Sequence, residues 1–252
     1  MPDQEVESAE ALVAIRDWLN KQPHLPHDVE EILLHRFYLS CRKSMERVKR
    51  TIDLFFTIRS TAPELFLKRD PWSPEIRRVF EITDMLPLPN KTKENYKVFI
   101  YRLNNPDYDL FNFVDAVKTF FMLADTRLTE EDDIPSGEIP IFDSANITLK
   151  FIGKVNLSVL RKYMTYTQIK FHEPNSNTLY KDVPRELLPS EYGGNAGSID
   201  QIKRYWIKRI EAKRDWFLAN DKNWAVDESL RPDNVNAQVK ELPGSFRSLA
   251  FD

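Results

Sequence analysis

YKVFIYRLNNPDYDLFNFVDAVKTFFMLADTRLTEEDDIPSGEIPIFD, residues 96–143, carries a strand, a helix and a second strand in succession. Residues 96–103, YKVFIYRL, are rich in β-branched and aromatic side chains and follow a polar turn, the pattern of a strand. Residues 109–126 read as a helix with Val117, Phe120, Phe121 and Ala124 on one side. An acidic loop, Glu130 to Asp133, leads to a second strand in GEIPIFD, residues 137–143. Pro140 inside it cannot donate to a ladder, so the position requires an edge, a bulge or an unpaired register. Another helix is expected over 156–167, with Asn156 as its cap and Val155, Val159, Tyr163 and Tyr166 along one face. Strand–helix–strand–helix order implies parallel pairing and an α/β domain.

Upstream the pattern is helical. Ala9, Leu12, Ile15, Trp18 and Leu19 recur at helical spacing, and the prolines between Lys21 and His27 end that segment. A second helix follows in DVEEILLHRFYLS, with Asp28 as its N-cap. A third begins near Ser44, whose hydroxyl can cap it, and sets Met45, Val48, Ile52, Phe55 and Phe56 on one face until Pro63. Ser73-Pro74 marks another start, because proline at the first helical position forfeits no hydrogen bond. Downstream, Ser198-Ile-Asp-Gln201 is a capping box opening a long amphipathic helix to about Ala219. The last thirty residues are polar with scattered anchors (Trp224, Leu242, Phe246, Leu249), a tail pinned to the surface.

Composition narrows the function classes. The chain has 252 residues, enough for one or two domains, and a formal net charge of only -3. It therefore lacks the overall basic field of a nucleic-acid binder. A hydrophobic share of 42% argues against disorder. A single cysteine excludes an internal disulfide framework and any multi-cysteine zinc site, and fits a reducing compartment. The first thirty residues carry acids where a signal peptide needs bases, and no apolar run approaches the roughly 20 residues of a membrane span. The expectation is a cytosolic protein, with contact to membranes limited to their surface.

Motifs for catalysis are absent. G-x-G-x-x-G, G-x-x-x-x-G-K-[ST], G-x-S-x-G and H-E-x-x-H do not occur, and only 6 glycines are available for cradling phosphates. His24 and His27 flank Pro26 in what reads as a surface loop, half of a metal site with nothing to complete it. His172 reads as structural. Cys41 lies beside Arg42, yet no base accompanies it, and a buried or half-buried bland thiol is the better reading. The cluster Glu130 to Asp133 reads as a solvated acidic loop. No catalytic, cofactor or metal residue is assigned, and no enzyme is expected.

Three blocks carry a resemblance: LLHRFYLSCRKSMERVKRTIDLFFTIRSTAPELF (33–66), GEIPIFDSANITLKF (137–151) and HEPNSNTLYKDVPRELLPSEYGG (172–194). In this order they resemble the CRAL-TRIO lipid-binding family, in the branch of α-tocopherol transfer protein and cellular retinaldehyde-binding protein. The motif L-P-x-E-Y-G-G is the most specific, and the C-terminal GSFRSLAFD is similar to arthropod-type members.

The resemblance implies a helical N-terminal domain over 1–84, an α/β lipid-binding domain of mixed or parallel sheet over 85–220, and a surface tail over 221–252. It implies one small hydrophobic lipid, tocopherol-, retinoid- or phospholipid-like, held between the sheet and a lid helix with no reaction catalysed. Carried over, the ligand-facing positions are Val117, Phe120 and Ala124 on one helix, Phe142 on the following strand, and Val155, Tyr163 and Tyr166 on the next helix. Contact with phosphoinositides at an anionic membrane surface is implied as well; nucleic acid is not. Between Gln168 and Ile169 the family's further strand, lid helix and Lys-rich stretch are missing, so an incomplete sheet is expected. Relatives carry glycine where this chain has Asn146, and some phosphoinositide binders carry arginine where it has Cys41. Alternatives to a carrier are a phosphoinositide-reading membrane adaptor and a non-binding splice isoform.

Overall fold

The computed structural model describes residues 2–105, 107–131, 134–152, 170–173 and 176–232. The helices are α1 (Pro2–Leu19), α2 (Glu31–Ser40), α3 (Met45–Thr61), α4 (Pro63–Phe66), α5 (Pro74–Ile82), α6 (Phe113–Glu130), α7 (Leu149–Ile152), α8 (Ile199–Ala212) and α9 (Arg214–Asn223). The strands are β1 (Thr83–Lys91), β2 (Tyr96–Leu103) and β3 (Gly137–Asp143). The chain forms two compact units, one of Met1–Asp70, Ala124–Ile134 and Lys213–Asp252, the other of Pro71–Leu123 and Pro135–Ala212.

The first unit is helical. Helical spacing brings Ile15 and Leu19 of α1, Leu33 and Phe37 of α2, and Val48, Ile52 and Phe56 of α3 into one core. Trp224, expected as a surface anchor, belongs to that core, with its ring centroid 5.6 Å from those of Phe55 and Phe56 and 5.0 Å from that of Trp216. Two expected caps differ. Helix α2 opens two residues late, with Glu30 rather than Asp28 at its N-cap, and the Ser44 hydroxyl makes no cap bond to α3. A buried ion cluster braces the unit: Asp125 accepts from Arg59 at 2.6 Å and from Arg69 at 2.5 Å.

His24 is not in a surface loop. It is 2% exposed, its Nε2 lies 3.7 Å from Asp53, and Asp53 is itself gripped by Arg231 at 2.8 and 2.9 Å. Asp227 donates its N–H to the His24 carbonyl at 3.0 Å, so the chain beyond α9 covers the histidine. No local pattern announces a cover that arrives from two hundred residues away.

In the second unit, β1 pairs antiparallel with β2 and β2 pairs parallel with β3. The parallel pair is the one that the strand–helix–strand order requires, and both of its strands match the sequence reading. Strand β1, TDMLPLPNK, has no counterpart in that reading, because Pro87 and Pro89 speak against a ladder. It is an outer strand among the described residues, and its register slips between Pro87 and Lys91. Pro140 stands opposite Phe99 on the other outer strand, where a residue without an N–H is tolerated.

Ends of helices moved as well. The expected helix 109–126 runs over Phe113–Glu130, after a 3₁₀ turn at Tyr108–Leu110. The expected continuous helix to Ala219 breaks at Lys213 (φ -93°, ψ 12°) into α8 and α9. Two starts hold: the Ser73 hydroxyl accepts from the Ile76 N–H at 3.4 Å, and Ser198 and Gln201 exchange side-chain and backbone bonds at 2.9 and 3.1 Å. The expected helix 156–167, with Asn156 and Val159, lies outside the described residues, as do Leu242, Phe246 and Leu249.

Candidate functional site

Alternation along β2 sends Val98 and Ile100 to one face of the sheet and Phe99 and Tyr101 to the other. Register then places Phe142 of β3 beside Tyr101, with ring centroids 5.4 Å apart and planes within 24°. Phe120 of α6 tilts onto the same Tyr101 ring at 6.1 Å, and Phe99 stacks on it at 6.0 Å. The result is an aromatic row centred on Tyr101.

This row is deeply buried at one end and open at the other. Phe99 is 3% exposed, Phe120 37% and Phe142 59%. Isolated exposed aromatics are ordinary, but contiguous apolar surface marks a site of association. Two of the residues expected to face a ligand, Phe120 and Phe142, are thus joined through Tyr101. Val117, one turn before Phe120, is half-buried on the same helix. Ala124, one turn beyond, is half-buried and belongs to the helical unit. Val155, Tyr163 and Tyr166 lie outside the described residues. Tyr101 and Phe99 were not singled out in the sequence, although the two-residue period of YKVFIYRL puts them on one face. A separate cavity among α5, α6, α8 and β1 is only about 20 Å³, water-sized rather than lipid-sized.

The opposite face of the sheet ends in a charged row. Asp84, Arg102 and Asp143 stand opposite one another on the three strands. Asp84 accepts from Arg102 at 2.6 Å and from Asn104 at 3.1 Å, and Lys203 lies 2.8 Å away. Burial pushes the Asp84 carboxyl up, but Lys203, Arg102 and Asn104 together hold it below its usual range. Tyr192 donates to Asp143 at 2.5 Å; burial, then the adjacent carboxylate, pushes its phenol far above the ordinary value. This row is a brace, with its charges already matched.

The motif Leu188-Pro189-Ser190-Glu191-Tyr192-Gly193-Gly194 supplies that brace. Gly193 takes φ +73°, the left-handed region that favours glycine. A Cβ on Gly194 would collide with the backbone carbonyl oxygens of Leu188 and Arg185. Glu191 accepts the Ile199 N–H at 3.0 Å, a carboxylate at the start of α8. Burial would raise its pKa, yet its own backbone N–H and that of Ile199, with the Ser190 hydroxyl, bring it below the usual value. The most specific motif in the sequence is therefore structural. Asn146, unlike Gly193, adopts no left-handed conformation; its side-chain amide donates to the Leu103 carbonyl at 2.8 Å.

Among the described residues, no cluster of three or more His, Cys, Asp or Glu side chains could hold a metal ion. His27 Nε2 lies 3.0 Å from the Gln22 carbonyl oxygen and His172 Nδ1 3.0 Å from the Thr178 hydroxyl. Cys41 is buried, with its sulfur 3.3 Å from the Thr51 hydroxyl. No described helix is long and apolar enough to cross a membrane.

Two basic segments differ in character. Arg42, Arg47 and Arg50 are exposed and form no ion pair among the described residues. Along Lys203–Arg214 four of the six cations are ion-paired: Lys203 by Asp84, Arg204 by Asp200, Lys213 by Glu130 and Arg214 by Asp70. Most of the charge of that second stretch is thus taken up in ion pairs within the chain.

Comparison with known proteins adds two findings. Residues 4–76 match the family described as Pinta-like, UBA domain. Over 81% of this chain and 70% of the relative, the sequence is 19% identical to alpha-tocopherol transfer protein-like proteins of Homo sapiens and Pongo abelii. The corresponding Mus musculus protein matches to the same extent.

Proposed function

We propose that this protein binds and transfers a small hydrophobic lipid, tocopherol-, retinoid- or phospholipid-like, without catalysing a reaction. The observation that carries this reading is the open aromatic row of Phe120, Tyr101 and Phe142, in a chain similar to alpha-tocopherol transfer protein-like proteins. A lipid laid on that row exchanges water for apolar contact, at about 25 cal/mol per Å² buried. Val117 extends the ligand-facing surface along α6, and Ala124, Val155, Tyr163 and Tyr166 belong to the same reading. Division of labour follows the boundaries near residues 84 and 220, with the middle segment holding the lipid. Lipid sites are mostly apolar with a few polar groups to orient the guest.

A missing strand and lid between Gln168 and Ile169 would leave the ligand exposed on one side, which predicts rapid exchange rather than tight retention. Docking on an anionic membrane surface through Arg42, Arg47 and Arg50 completes the proposal, since each phosphate contact needs a cation without an internal partner.

Native mass spectrometry of the chain incubated with α-tocopherol, retinal and phosphatidylinositol tests the carrier reading. A one-to-one adduct with any of them supports it; bare protein in all three incubations identifies a non-binding form. Co-sedimentation with phosphoinositide-containing vesicles tests the docking step separately.

A further inference from the structure

Helices α1 and α2 border an open groove of about 1160 Å³ that plays no part in the lipid reading. Its apolar lining follows helical periodicity. Ile32 and Leu39 are two turns apart on α2, and Leu12 and Val13 meet them from α1. Val13 is 61% exposed, Ile32 44% and Leu39 38%, so this is surface and not core. Seven residues of helix rise about 10.5 Å, which matches two turns of a guest helix.

The charges at the rim select the guest. Lys43 is matched by Glu7 at 2.6 Å, and Arg16 donates to the His27 carbonyl at 3.2 Å. Asp17 and Glu31 form no side-chain hydrogen bond or ion pair among the described residues. The Arg16 bond to a carbonyl leaves its positive charge in place, so two carboxylates face one unpaired cation and the balance beside the apolar floor is negative. An anionic membrane would be repelled by it, whereas a cationic helix would be drawn in.

We propose that this groove docks a basic amphipathic helix of a partner protein, apolar at i, i+3 or i+4 and i+7, with Lys or Arg set against Asp17 and Glu31. Helix-in-groove recognition takes its affinity from the apolar stripe and its orientation and on-rate from the flanking charges.

The full chain is titrated by fluorescence anisotropy with a labelled two-heptad Leu/Lys helix and its Leu/Glu counterpart. Saturable one-to-one binding of the Leu/Lys peptide is expected. Asp17→Lys with Glu31→Lys should weaken it at least tenfold and reverse the preference toward the Leu/Glu peptide. Ile32→Asp should weaken both peptides. All three positions are exposed, and circular dichroism melts check that the variants fold; the charge-reversal variant decides the matter even where Ile32→Asp does not. Equal affinity of the native chain and the charge-reversal variant for the Leu/Lys peptide overturns the proposal. So does self-association that Ile32→Asp abolishes, which makes a second copy the occupant, or binding to phosphatidylserine vesicles that the same variant abolishes.

Discussion

Tyr192 donates its phenolic hydrogen to Asp143 at 2.5 Å, tying the Leu188–Gly194 turn to the C-terminal end of β3. The phenol is pushed up, first by burial and then by that carboxylate, so it stays protonated and remains a donor throughout the physiological range. Tyr192→Phe keeps the ring and removes the donor. It should cost about 1–2 kcal/mol, visible as a lower urea midpoint with an unchanged slope. Lipid uptake should be unaltered, because the aromatic row lies on the opposite face.

Gly194→Ala should cost more than Tyr192→Phe. The added Cβ meets two backbone carbonyl oxygens, those of Leu188 and Arg185, and neither can rotate away as a side chain would. Overpacking of this kind costs about 1–3 kcal/mol and occasionally more. A thermal melt of the two variants side by side gives the order.

Asp125→Asn should be severely destabilising. The carboxylate is 1% exposed and serves both Arg59 and Arg69. Removing its charge leaves two guanidinium groups buried without a counter-ion, a loss of about 3–5 kcal/mol. Replacing Arg69 by Met together with Asp125→Asn should recover part of it, because fewer unmatched charges then stay buried. Urea denaturation of the single and double variants measures both effects.

Stability should fall between neutral pH and about pH 5 through His24. Burial first, then the neighbouring Arg231 cation, holds its pKa below the ordinary 6.5, against the opposing pull of Asp53 and Glu228. The unfolded chain therefore takes up the proton before the folded chain does. Stability contributed by the neutral imidazole is complete above the unfolded value and declines as pH drops through and below it. His24→Gln should flatten the urea midpoint between pH 7.5 and 5.5. An unaltered slope in that variant would assign the dependence to another group.

Phe142→Ala should separate binding from folding. At 59% exposure the side chain contributes little to the core, and a stability change within about 0.5 kcal/mol is expected. Loss of its stacking with Tyr101 should nevertheless lower the fraction of lipid adduct in native mass spectra. Retention of the full adduct by Phe142→Ala with Phe120→Ala would place the lipid elsewhere.

Elements set by short-range rules were legible. Strands 96–103 and 137–143, the Ser73-Pro74 start and the Ser198–Gln201 box depend on residues within a few positions of one another. Strand β1 was hidden by its prolines, which are acceptable because it is an outer strand among the described residues, a fact fixed by its partner. Half of the aromatic row was legible: Phe120 and Phe142 were named from the resemblance, whereas Tyr101, the ring that joins them, emerged only from the register of β2 against β3.

Sequence alone established a mainly helical first third, an α/β segment with one parallel pair, and the absence of recognisable catalytic or metal-binding motifs. Those properties follow from periodicity, caps and residue chemistry, which act over a turn or two of chain. Tertiary structure decided that His24 is buried under Arg231, that the L-P-x-E-Y-G-G turn is a brace, and that Lys203 answers Asp84 instead of facing solvent. Each of these joins residues tens to hundreds of positions apart, and the burial that gives such contacts their energy exists only once the chain has folded.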